Sequence, residues 1–320
     1  MLRIALIALL ALALAPPAFA EYPDRPLTIL TGYPPGGMVD IVSRALAEPL
    51  KKKFPKGIAI VSRPGAGGSL AVAELVQAKP DGYTIILAPL STLVIHPQLH
   101  DLPYKTPDDF EPIINIVSFY SVFVVKPDSP WKTIQEFVAA AKASPGKLRV
   151  GTPGEGTASH LNLEEFRRLS GINFTHVPFS GWGESSPALL GGHIEALIAQ
   201  PGEVKPLVEG KKMRVLMVSQ PKRHPGFPDV PTQKELGWGD SPSGAWFTFV
   251  APKGTPGAVQ KYIHDAVKVA IEDPQFVRTI KQRVIEIDYR AGDQLKADLW
   301  KEHKFHGEML ARLGMTKKKK

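Results

Sequence analysis

Two glycine-rich stretches carry the residue types that could hold an anion. The first is Thr31–Asp40, "TGYPPGGMVD", which lies between the apolar run Leu27–Leu30 and the amphipathic segment "IVSRALAEPL". Glycine has no Cβ, so the backbone N–H groups of Gly36 and Gly37 can approach a ligand closely. A helix beginning near Met38 would add N–H groups that have no acceptor within the helix, at the positive end of its dipole. Pro34 and Pro35 have no N–H to offer and would stiffen the rim. Asp40 falls in the first helical turn, where a carboxylate is an ordinary dipole partner. Neither phosphate fingerprint, G-x-G-x-x-G or G-x-x-x-x-G-K-[ST], is present in this stretch. The second stretch, Gly151–His160, "GTPGEGTASH", repeats the layout of strand, glycine turn, hydroxyl residue and helix. Thr157 suits an N-cap, and Ser159 and His160 occupy the first turn. Two such helix starts could face each other across a cleft, each taking a carboxylate. Two further Gly/Ser elements, Arg63–Ser69 and Val177–Ser186, also open helices.

Catalytic chemistry is harder to assemble. Ser159 and His160 are adjacent, and neighbours at a helix start do not face each other. His303 and His306 lie at i, i+3 on a helix beside Glu302 and could bind metal, but no further nearby ligand completes a site. We expect no catalytic residues, no metal and no cofactor.

The elements that must position the two stretches alternate. Leu27–Thr31, Ile58–Ser62, "YTIILAP", "SVFVV", "KLRVG", Phe174–Val177, "IEALIAQ" and "RVLMVSQ" read as strands. Amphipathic helices lie between them, and the chain is mostly helical from Pro256 onward. Pro49 should kink or end the first helix at Glu48. Such alternation predicts an α/β architecture with largely parallel sheets. The strands Ser121–Val125 and Trp246–Ala251 could be crossovers between two lobes, a double hinge. The expected division is residues 21–124 plus 251–320 for one lobe and 125–250 for the other.

The first twenty residues fit a removable leader: Arg3, the apolar run Ile4–Ala15, and Ala18-Phe19-Ala20 as the cleavage site. Cleavage after Ala20 would leave 300 residues, enough for two cores. The chain has no cysteine, so disulfides, thiol nucleophiles and thiolate metal sites are excluded. Formal charge is +8, and the terminal run Lys317–Lys320 supplies four of those charges. The remaining basic residues are scattered and not interleaved with aromatics. That pattern, with secretion, points to small anions and away from nucleic acid.

The segments "PPGGMVDIVSRALAE", "RPGAGGSLAVAELVQAKPDGYTI", "GTASHLNLEEF", "HVPFSGW", "LLGGHIEALI" and "FPDVPTQKELG" occur in an order that resembles the tripartite tricarboxylate transporter substrate-binding proteins, the Bug or TctC family. The resemblance runs from about Tyr22 to about Leu313. It implies a periplasmic, monomeric two-lobed binding protein of the type II, Venus-flytrap class with two hinge strands. Such a receptor would deliver an organic carboxylate to membrane transporter subunits. It further implies that the loops Tyr33–Gly37 and Gly154–Ser159 grip a ligand carboxylate. Ser69, Ser91, Phe179 and Gln200 match positions lining the cleft. Gln200 stands where Asp or Asn is frequent, which argues against pairing with a ligand amine.

Two departures bear on specificity. The family's "YKGG" is "FSGW" here, so Ser180 replaces a lysine and Trp182 a glycine. Loss of the lysine disfavours a polyanion such as citrate. A ring at Trp182 would either narrow the pocket, or stack on an aromatic ligand, or pack on its own lobe. The preferred ligand is thus an aromatic or hydrophobic mono- or dicarboxylate. The alternatives are a ligand-sensing input for a two-component kinase and a periplasmic enzyme on the same fold.

Overall fold

The structure, a computed structural model, describes residues 22–239, 244–315 and 317. The expected leader and its cleavage site lie outside the described residues. Elements run in the order β1 (Leu27–Thr31), α1 (Met38–Leu50), β2 (Ile58–Ser62), α2 (Ser69–Val76), β3 (Thr84–Pro89), then a π turn (Ser91–Ile95) leading into the short α3 (His96–Leu99). Next come β4 (Phe110–Phe119), β5 (Val122–Val125), α4 (Ile134–Ala143), β6 (Arg149–Thr152), α5 (Ala158–Ser170), β7 (Thr175–Pro178), α6 (Trp182–Leu190), β8 (Ala196–Ala199), α7 (Pro201–Glu209) and β9 (Arg214–Val218). The chain ends through β10 (Ala245–Pro252), α8 (Gly257–Ile271), α9 (Pro274–Gln282), β11 (Glu286–Ala291) and α10 (Gly292–Arg312).

The strands form two sheets, ordered β11-β4-β10-β3-β1-β2 and β7-β6-β8-β5-β9. Each sheet is covered on both faces, which explains its nearly continuous apolar strands. In β3, Ile85 and Leu87 enter one core cluster while Ile86 and Ala88 enter another. In β5, Phe123 and Val125 face one cluster, and Val122 and Val124 the other. The result is a two-lobed α/β molecule.

The chain changes sheets twice at one place. β4 ends at Phe119, which pairs with Ala245 at the start of β10. β5 starts at Val122, which pairs with Val218 at the end of β9. The outward crossing therefore lies at Tyr120–Ser121, and the return lies between Val218 and Ala245. The expected boundaries at 124/125 and 250/251 cut through β5 and β10, whereas by sheet membership β5 sits wholly in the second sheet and β10 wholly in the first. This double crossing also accounts for a second difference. β4 runs toward the junction and β10 away from it, so these neighbours are antiparallel, and β5 is antiparallel to both β8 and β9. Among the described strands, β1 pairs in parallel with β2 and β3, and β6 with β7 and β8. The edge strand β11 fell within the stretch read as mostly helical. Pro49 lies inside α1, which continues to Leu50. A proline this close to the C-terminal end forfeits one bond of the last turn, which the helix tolerates.

Candidate functional site

The two lobes enclose a cleft with about 550 Å³ of unfilled space, its open mouth included. From the first lobe it is lined by Tyr33, Pro34, Gly37, Met38 and Val39 at the start of α1, by Pro89 at the end of β3 and by Ser91 just after it. Phe119, Ala245 and Phe247 form its floor beside the crossover. From the second lobe come Pro153, Thr157, Ala158 and Ser159 at the start of α5, Gly181 and Trp182 at α6, and Gln200 and Glu203 at α7. Three helix N-termini of the second lobe and one of the first thus open on the same space.

The start of α1 is already engaged. Asp40 folds back so that its carboxylate accepts from the Gly36 N–H at 3.0 Å and holds the Arg44 guanidinium at 2.8 Å. Gly36, expected to offer its N–H to a ligand, is exposed and does not line the cleft. The Met38 N–H donates across the cleft to Glu203 Oε1 at 3.1 Å. Glu203 was not singled out from the sequence, yet it is 6% exposed and its Oε2 has no hydrogen-bond partner. Burial pushes its carboxyl up to about 7, against the Met38 and Gln200 N–H groups and the positive Arg283, which favour the charged form. An ionisable carboxyl therefore stands three residues after Gln200. The absence of charge at Gln200 does not leave the cleft without an acid to meet a ligand amine. Pro201 and Glu203 look like the ordinary first turn of a helix, which is why nothing in the sequence flagged them.

The start of α5 is open. Thr157 caps it: Oγ1 accepts from the His160 N–H at 3.2 Å and donates to the Gly154 carbonyl at 2.8 Å. The N–H groups of Ala158 and Ser159 begin the helix and have no acceptor within it. Gly154 holds φ +157° and does not line the cleft; its carbonyl orients the Thr157 cap. His160 turns back to accept the Gly156 N–H on Nδ1 at 3.1 Å, and its ring stacks on His176 at 4.0 Å. Burial, then the neighbouring His176 and Arg167, lowers it to about 3, so it is neutral. Ser159 Oγ instead lies 3.2 Å from Ser121 Oγ at the crossover. Ser159 and His160 thus do not act as a pair.

Two other expected lining residues are elsewhere. Ser69 is fully buried and hydrogen-bonded to His96 Nδ1 at 2.8 Å. This Ser–His contact has no access to the cleft, and burial lowers His96 to about 4. Phe179 packs in the second lobe's core against Gly151, where a Cβ would come within 3.0 Å of its ring. Trp182 is half-buried against its own lobe and lines the cleft. His306 is fully buried with Nδ1 on the Glu302 carbonyl. Among the described residues no group of three or more His, Cys, Asp or Glu is placed to hold a metal. No helix among them is long and apolar enough to cross a membrane.

The lobes are held together around this cleft. Arg283 of the first lobe donates to the Gly202 carbonyl at 3.2 Å. Arg312 reaches Glu165 at 3.4 Å. Leu161 of α5 enters a core cluster of the first lobe. Residues 42–315 match the model of the "Tripartite tricarboxylate transporter family receptor", TctC. The chain belongs to the TctC family. A UPF0065 protein in the gbd 5′ region of Cupriavidus necator is 37% identical over 303 residues, 93% of this chain and 90% of that one. The structure of the periplasmic binding protein BugD superposes with a TM-score of 0.87 at 28% identity, covering 93% of this chain and all of BugD. MatC from Rhodopseudomonas palustris, solved with bound malate, gives 0.82 at 27% identity, covering 91% and 98% of the two chains. As in these TctC-type proteins, the fold here is that of a solute-binding receptor and not of an enzyme.

Proposed function

We propose that this TctC receptor is exported, loses its leader after Ala20, and captures an organic carboxylate with an aromatic or hydrophobic body. It then delivers the ligand, as a monomer, to a tripartite tricarboxylate-type membrane transporter. The observation that carries the reading is the α5 N-terminus. Ala158 and Ser159 offer backbone donors inside the cleft, facing apolar and aromatic walls from Phe119, Phe247 and Trp182. A carboxylate at such a helix end needs no cationic side chain. The body of the ligand would rest on the rings, with Ser91, Tyr33 and Pro34 lining the space around it. The bound malate of MatC supports the carboxylate class. Binding would favour the closed arrangement of the lobes, because only that arrangement assembles both walls.

A thermal-shift screen of carboxylates tests this. A ligand that binds only the folded protein stabilises it by RT ln(1 + [L]/Kd). Arylalkanoates and branched aliphatic acids should raise the melting temperature more than citrate does. Citrate stabilisation without any response to aromatic acids would overturn the aromatic preference. No response to any carboxylate would overturn the receptor's ligand class. A pull-down of the transporter's membrane subunits that depends on added ligand tests the partner.

A further inference from the structure

Beyond the α5 donors, the cleft contains acceptors at the start of α7, where the Gln200 N–H also favours the charged form of Glu203. Glu203 Oε2 and Gln200 Oε1 are both buried without a hydrogen-bond partner. Both residues line the cleft. They sit at the N-cap and third positions of α7, so they emerge from the same helix end. The carboxylate cannot turn to satisfy Oε2 without giving up Met38, since Oε1 already accepts that N–H at 3.1 Å. Arg283, the nearby cation that bears on Glu203, spends a donor on the Gly202 carbonyl. In the ionised form of Glu203 the open Oε2 is a buried acceptor that demands a donor, and the ligand is what can bring one.

We propose that Glu203 is the specificity-determining residue of this cleft, selecting carboxylates whose body carries a hydrogen-bond donor, a hydroxyl or an ammonium. The proposal rests on the carboxylate reading of the site. α5 takes the carboxylate by N–H donation, and α7 takes the donor by accepting from it. The two ends are chemically opposite, so a ligand with the donor has one orientation. A ligand lacking it leaves Oε2 buried and unpaired. Sites built to hydrogen-bond a ligand group reject analogues without that group more strongly than apolar pockets reject a missing methylene.

The test is calorimetry on the full mature chain with two ligand sets. One is 3-phenylpropionate, phenyllactate, phenylalanine and 3-(4-hydroxyphenyl)propionate. The other is butyrate, 2-hydroxybutyrate, 4-hydroxybutyrate and 2-aminobutyrate. At least one donor-bearing member should bind about tenfold or more tighter than its parent. Glu203→Leu should collapse that ratio to within about threefold. In Glu203→Gln the amide oxygen keeps the Met38 bond and the NH2 stands where Oε2 was, so a hydroxyl, which can accept, should keep its advantage and an ammonium, which cannot, should lose it. Circular dichroism confirms that each variant is folded. Hydroxyl-only and ammonium-only gains both support the proposal and name the ligand class. Parents that bind as tightly as all their derivatives overturn it, as does a ratio that persists in both variants. If no carboxylate in either set binds, the reading of the site itself has failed.

Discussion

A carboxylate shut between two lobes titrates differently from one in water, and Glu203 makes that measurable. Its pKa is raised from 4.5 to about 7 by burial. A raised acid favours the folded, closed protein when protonated. Its contribution is complete below the unfolded value of 4.5 and is lost as pH rises through about 7. The full swing is on the order of 3 kcal/mol. The charged and titratable groups facing it are Arg283 and the Tyr33 phenol, itself pushed up to about 12 by burial and so neutral throughout. The buried imidazoles act in the opposite sense. His96, His160 and His176 are lowered to about 4, 3 and 4 by burial, so they destabilise the fold as pH falls. The clean readout is therefore a difference. Between pH 5 and pH 8 the melting temperature of the wild type should fall relative to that of Glu203→Gln. Parallel melting curves for the two proteins would show that the Glu203 carboxyl is not perturbed. At the same scale, Trp182→Ala should weaken aromatic carboxylates more than short aliphatic ones, because it removes a ring from one wall. Equal losses for both classes in calorimetry would assign Trp182 to packing alone.

At the scale of elements, the two glycine-rich helix starts were legible because their chemistry is local. Thr157 caps α5 as its type and position dictate, and Gly37 precedes α1 in extended geometry. What the sequence could not show was occupancy. The donors of α1 looked the equal of those of α5. Asp40 and the distant Glu203 engage them, one through a bond four residues back and the other through a contact spanning 165 positions. Ser69 and Phe179 were misplaced for a related reason, since a loop's neighbourhood does not say which side of it faces the cleft. β11 alternates charged and apolar residues on an exposed edge, a weak strand signal at best. Thr157→Ala removes both bonds of the cap and should cost about 1 kcal/mol of stability, while weakening carboxylate binding by more than that loss explains. If calorimetric affinity is unchanged, α5 is not the carboxylate site. Gly156 tests the same helix start from the other side. It holds φ +70°, and a Cβ there would meet Leu99 Cδ1 at 2.8 Å and His96 Nε2 at 3.2 Å, both in the opposite lobe. Gly156→Ala should therefore impair closure, lowering ligand affinity while the protein still folds.

The whole molecule turns on its double crossing. Because both passages lie side by side, at Phe119–Val122 and between Val218 and Ala245, the lobes can pivot about one edge while the far edge opens. The contacts that resist opening are then those away from the crossing. The Arg312–Glu165 pair leaves Arg312 about half exposed, with 47% of its side chain accessible, so alone it contributes little. Arg283 and Met38 act through a carbonyl and a carboxylate at α7, where the partners are buried. Removing an interlobe bond should raise the population of the open form when no ligand is present. A ligand that bridges α5 and α7 should restore closure, because it binds the closed state better than the open one. The double variant Arg283→Ala/Arg312→Ala should thus show a larger radius of gyration by small-angle scattering than the wild type in the ligand-free state. A saturating ligand should return the two proteins to the same value. Its affinity for the variant should fall in proportion to the population lost, at an unchanged binding stoichiometry. Identical scattering of the two ligand-free proteins would mean that these two arginines do not govern closure, and that the Met38–Glu203 bond and the apolar contact of Leu161 with the first lobe suffice to hold the cleft shut.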